Sequence, residues 1–166
     1  MTDDKNPDAK VFPVETNFQK LARRPGGIPR DRAIEAATEK VEKLKPGFDD
    51  WMQQEVNALA AVINQAAAGE AGPGWAAEAV THSRNLRDVG TTMGWELLTF
   101  VADSMCEILD AIEAGAQCNM EWVTCHLDAL VLVRLPRYRG SRPAQVPELT
   151  NGLRRIADRV SATART

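Results

Sequence analysis

Apolar residues recur along this chain at helical spacings of three and four, in blocks separated by glycine and proline. The clearest block runs from Asp49 to Ala68, where Met52, Val56, Leu59, Ile63 and Ala66 form one face. That pattern predicts an amphipathic helix with a single buried seam. Ahead of it, Asp31 to Leu44 sets Ile34, Ala37, Val41 and Leu44 on one side, with Asp31 as N-cap. Lys45-Pro46-Gly47 predicts the end of that helix, since proline lacks the N–H and glycine suits a terminus. Gly69 to Gly74 predicts the next connection.

The third helix is expected from Trp75 to about Gly90, followed by a Thr91-Thr92-Met93-Gly94 turn. Trp75, Ala79, Leu86, Val89 and Met93 define its apolar row, and His82 falls in line with them. Thr81, Arg84, Arg87, Asp88 and Thr91 occupy the other side. A fourth helix, about Trp95 to Ala114, has an apolar face wide enough to predict neighbours on two sides. A fifth, about Met120 to Leu135, buries Val123, Leu127, Leu130 and Val133 and stops at Pro136. After the arginine-rich stretch 134–142, Pro147 opens a last helix with Leu149, Leu153, Ile156 and Val160 in a row. Residues 1–30, with four prolines and little to bury, are expected to form a partly disordered arm before a helical domain over 31–166. Short helix connections imply antiparallel neighbours in an up-down bundle.

Composition agrees with an all-α fold: 166 residues, 44% hydrophobic, rich in Ala, Leu, Glu and Arg, with one Tyr. No apolar run approaches the ~20 residues of a membrane span, and the polar N-terminus does not resemble a signal peptide. Three cysteines, Cys106, Cys118 and Cys125, read as free thiols of a cytoplasmic protein. Charge is uneven. Residues 31–133 hold 6 Lys/Arg against 17 Asp/Glu, whereas residues 134–166 hold 8 Arg against Glu148 and Asp158. The basic segment is expected to lie against the acidic body of its own chain. No basic stripe is interleaved with aromatics, so nucleic acid is not an expected partner.

Glycine spacing matches neither a phosphate-binding loop nor a dinucleotide fingerprint. Cys118, Cys125 and His126 lack zinc-ligand spacing, so no metal or other cofactor is expected. His82 and His126 both read as packing histidines bonded to a neighbour. Arg84 and Asp88, four apart, are expected to pair on a solvated face.

The segment from Arg84 to Gly94, RNLRDVGTTMG, resembles the active-site segment of histidine phosphotransfer (HPt) domains. The family pattern is His, any residue, an apolar residue, Lys, Gly, then small residues ending in Phe or Leu before a Gly. Leu86 stands at the apolar position, Arg87 at the Lys, and Met93 with Gly94 at the close; Gly90 lies within the small-residue stretch. The likeness covers about residues 49–135. Two positions depart: Arg84 replaces the phosphoacceptor His, and Asp88 replaces the Gly. A guanidinium stays protonated and is not a nucleophile, so Arg84 does not carry a phosphoryl group.

The resemblance therefore implies an antiparallel up-down four-helix bundle of HPt type, with an extra N-terminal helix and a C-terminal helix, that has lost phosphotransfer. It implies a non-enzymatic adaptor or inhibitor in two-component signalling. Its partner would be a response-regulator receiver domain or a histidine kinase, met through Arg84, Arg87, Asp88 and Thr91. An active phosphocarrier using His82 or His126, and a structural or oligomerisation protein, are the alternatives.

Overall fold

Pro46 lies inside a continuous helix, where the sequence pattern predicts a break. The computed structural model describes residues 16, 17, 20, 26–117 and 119–163. The expected N-terminal arm falls largely outside the described residues. The chain divides into two compact units, Met1–Glu39 and Lys40–Thr166. The first helix, α1 (Arg30–Ala67), begins in the first unit and ends in the second.

The continuity through Pro46 has a local reason. Proline removes one donor, the one that would reach the carbonyl of Glu42. Glu42 and Pro46 are both exposed, where a carbonyl left without its donor can be hydrated at little cost. Gly47 keeps a negative φ and does not make the left-handed stop. Lys45 Nζ also bonds Glu42 Oε1 at 2.5 Å across the same turn. The apolar row expected to be buried over Asp31–Leu44 is not: Ile34 is 51% and Leu44 60% exposed. This half is helical by its Ala, Glu and Lys content rather than by burial.

Within the second unit, α1 delivers the seam read from the sequence. Met52, Val56, Leu59 and Ile63 are buried, joined by Phe48 and Val62. Three further helices follow: α2 (Trp75–Gly90), α3 (Glu96–Glu113) and α4 (Met120–Val133). Two short 3-10 turns, Pro136–Tyr138 and Pro143–Gln145, lead into α5 (Pro147–Thr163). Among the described residues there is no strand, and no helix is long and apolar enough to cross a membrane. The described residues form an all-helical fold.

Helix α3 is the hub. Its buried residues, including Leu97, Leu98, Val101, Met105, Ile108 and Leu109, cover most of its circumference. It packs on α2, α4 and α5, one neighbour more than the two its wide apolar face predicts. Helices α2 and α3 run antiparallel, since Arg84 meets Asp110 while Thr91 meets Thr99. Helices α1 and α2 do so too: Glu55 meets His82, and Val62 shares a cleft with Trp75. The start of α4 is capped by the Asn119 side chain, which accepts from the Glu121 N–H at 2.9 Å.

Candidate functional site

The buried face of α2 is built from small side chains. Ala76, Ala79, Val80, Ser83, Leu86 and Gly90 are buried, whereas Trp75, Val89 and Met93 are only half-buried. The stripe is thus rotated from the one drawn through the large apolar residues. Small residues let the backbones of α2 and α3 approach. At Gly90 an added Cβ would lie 2.5 Å from Thr99 Oγ1 and 3.4 Å from the Trp95 carbonyl oxygen. Gly90 is therefore a packing residue, through which the helix runs without a positive φ. Gly94, by contrast, has φ +84°, which closes the Thr91–Gly94 turn in a region disfavoured for other residues.

This close approach brings the outer edges of α2 and α3 within ion-pair reach. Arg84 Nη2 donates to both carboxylate oxygens of Asp110, at 2.8 and 3.0 Å. Arg87 Nε donates to Asp88 Oδ1 at 2.8 Å, and its Nη1 lies 3.7 Å from Asp103 Oδ1. The expected Arg84–Asp88 pair is not formed, because α3 supplies Arg84 with a better-placed carboxylate and Arg87 takes Asp88. The Asp88 hydrogen bond raises the Arg87 pKa further, so its charge is permanent. Thr91 Oγ1 bonds Thr99 Oγ1 at 3.0 Å at the end of the row.

Arg84 is exposed, its side chain 49% accessible, as the sequence pattern predicts. Beneath the face, burial pushes the Cys106 thiol up to about 11, which keeps it a neutral packing group. Burial, then the charge of Asp103, raises the Glu107 carboxyl as well. Leu86 is fully buried and Met93 half-buried.

Neither histidine joins this face. His82 was expected to turn into the core, but its side chain is 24% exposed at the α1–α2 rim. There Nδ1 lies 2.7 Å from Glu55 Oε2, a carboxylate that also accepts from Asn85 Nδ2 at 3.4 Å. A polar partner on α1 draws the ring outward from the apolar row. His126 is fully buried. Its Nδ1 lies 2.9 Å from the Trp122 carbonyl oxygen, which accepts only, so Nδ1 carries the proton. Nε2 is then the acceptor for the Ser104 hydroxyl at 2.9 Å. Burial lowers its pKa, the Trp122 bond offsetting part of the shift. This is the packing histidine, bonded to its neighbours, that the sequence suggests.

The arginine-rich stretch does lie in part against the chain's own acidic groups. Arg139 Nη2 donates to Asp49 Oδ1 at 2.6 Å and its guanidinium stacks over Trp95, 5.1 Å from the ring centre. Arg142 Nε is 3.7 Å from Glu96, and Arg134 bonds Gln53. Arg137 stacks on Tyr138.

Sequence reasoning found the cations and missed their partners. Asp103, Glu107 and Asp110 recur at helical spacing on the outer edge of α3. That was the signal available for them. Among the described residues no group of three or more His, Cys, Asp or Glu is placed to hold a metal ion. The arrangement presents guanidinium donors and carboxylate acceptors side by side. Compared with family models, curated proteins and solved structures, the chain has no match.

Proposed function

We propose that this protein is a non-phosphorylatable HPt-like module of cytoplasmic two-component signalling, a binding protein rather than an enzyme. In this reading α1 from about Asp49, with α2, α3 and α4, forms the antiparallel up-down four-helix bundle, and α5 is an addition. The partner is the acidic pocket of a response-regulator receiver domain, held as by an adaptor or inhibitor.

The observation that carries the reading is the state of Arg84. It stands at the phosphoacceptor position of the motif, is exposed, and engages Asp110 through Nη2 alone. A guanidinium has five N–H donors, so Nε and Nη1 remain available to a second carboxylate. Asp110 holds the fork pointing out over α3, which reduces the entropy lost on docking. Asp88, Asp103 and Asp110 oppose an acidic partner, so the complex is selective and salt-sensitive rather than tight.

The test is a titration of unphosphorylated receiver domains against the full chain. Arg84→Ala is expected to weaken binding about tenfold or more, and Arg87→Ala less, because Arg87 is already held by Asp88. Asp110→Asn should strengthen it by removing the competing carboxylate. No receiver binding, or binding indifferent to Arg84→Ala, sinks the proposal.

One observation favours a second reading, an active phosphocarrier through His82. Glu55 holds Nδ1, which would leave Nε2 to attack a phosphoryl donor. A P–N bond would form as the donor's bond to phosphorus breaks, with Glu55 stabilising the Nδ1 proton. Acid-labile phosphohistidine, formed by a kinase or phosphorylated receiver and lost in His82→Gln, would establish it.

A further inference from the structure

A cleft of about 320 Å3 opens where the bundle part of α1 faces the chain leaving α4. Its walls are mostly apolar, formed by Met52, Trp95, Leu135 and Pro136. Its charged groups are Asp49, Arg139 and Arg134. Asp49 and Arg139 neutralise each other through their hydrogen bond. Arg134 has no such partner: it bonds the neutral Gln53 amide oxygen, and among the described residues no carboxylate pairs with it. Gln53 is itself fixed, since its Nε2 donates to Asn57 Oδ1 at 2.7 Å, which leaves Oε1 directed at Arg134. The cleft therefore carries one uncompensated, oriented positive charge against an apolar wall.

The wall of the cleft also holds a useful reporter. Trp95 is 3% exposed, and its Nε1–H has no acceptor among the described residues. Nε1 itself is sealed from solvent, so the ring forms part of the apolar wall and reports on the cleft rather than donating to its occupant. Volume, lining and a few convergent polar groups match the usual anatomy of a small-molecule site.

We propose that this cleft binds a small monocarboxylate with an apolar body. Arg134 donates to the carboxylate, and Met52, Trp95, Leu135 and Pro136 cover the hydrocarbon part. A single net positive charge suits a monoanion, and the apolar wall disfavours inorganic phosphate, which has nothing to place there. The site shares no residue with the Arg84 face and stands independently of the function proposed for that face.

The test uses the full chain, with hexanoate, its neutral analogue hexanamide, and inorganic phosphate as probes. Binding is followed by the Trp95 indole N–H resonance, resolved among the four tryptophans and assigned by Trp95→Phe. Hexanoate should shift that resonance saturably, while hexanamide and phosphate should not. Arg134→Gln should weaken hexanoate about tenfold or more. Leu135→Asp, at an exposed position that does not threaten folding, should abolish binding by placing a like charge in the cleft. The proposal is overturned by no saturable shift, by an equal response to hexanamide or phosphate, or by hexanoate affinity unchanged in Leu135→Asp.

Discussion

Helix α2 and helix α1 hold to the rest of the molecule in opposite ways. Between α2 and α3 the contact is close and made largely by small residues, with Gly90 packed too tightly against Thr99 to admit a Cβ. Ion pairs then bridge the outer edges of the two helices. The seam of α1 instead uses large side chains, Met52, Val56, Leu59 and Ile63, that reach into the core from a greater backbone separation. A large apolar seam draws its stability from area removed from water, whereas a small-residue seam draws it from fit. The first tolerates local adjustment. The second does not, and it also sets the distances at which surface charges meet.

Four measurements would break or sharpen that contrast. The largest effect is expected from Leu59→Ala, which empties a fully buried position in the α1 seam. It should cost about 2–5 kcal/mol of unfolding free energy in urea titrations. Gly90→Ala should cost about 1–3 kcal/mol by overpacking the α2–α3 contact. A double variant with Thr99→Ala should recover much of that loss, since Thr99 Oγ1 is the closest atom to the new methyl. Equal costs for the single and double variants would show that the helices do not meet there.

The third effect is a pH dependence of the core. His126 is buried neutral with its pKa lowered, so the unfolded chain binds its proton more readily than the folded one. Stability from this group is complete above the ordinary histidine range of about 6.5. It should fall as pH drops below that range towards the lowered folded value. His126→Gln should flatten this slope in melts between pH 7 and about 5. The smallest effect is expected from Arg84→Ala on stability, about 0–1 kcal/mol, because the Asp110 pair is half exposed and screened by solvent. A larger loss would mean that the ion pairs, not the small-residue fit, hold α2 to α3.

The same contrast explains which parts were legible from the sequence. Large side chains at spacings of three and four announced the α1 seam, the wide face of α3 and the row in α5. The stripe of α2 is not legible from large apolar residues because alanine, serine and glycine, which line its buried face, carry little hydrophobic signal. Pro46 read as a stop because its consequence depends on whether the freed carbonyl meets water or a core. Arg84 was rightly placed on the exposed side, but its partner was not, since Asp110 lies on another helix.

Periodicity and composition by themselves determined that this chain is helical, where most helices begin and end, and that Arg84 faces outward. These follow from local spacing and propensity, which act within a few residues. Tertiary structure decided that Arg84 meets Asp110, that His82 leans out to Glu55, and that Arg134 lines a mostly apolar cleft with Met52 and Trp95. Each of these depends on residues from separate helices meeting within about 3–4 Å of each other. Such distances are set by packing between elements, which no single stretch of sequence encodes.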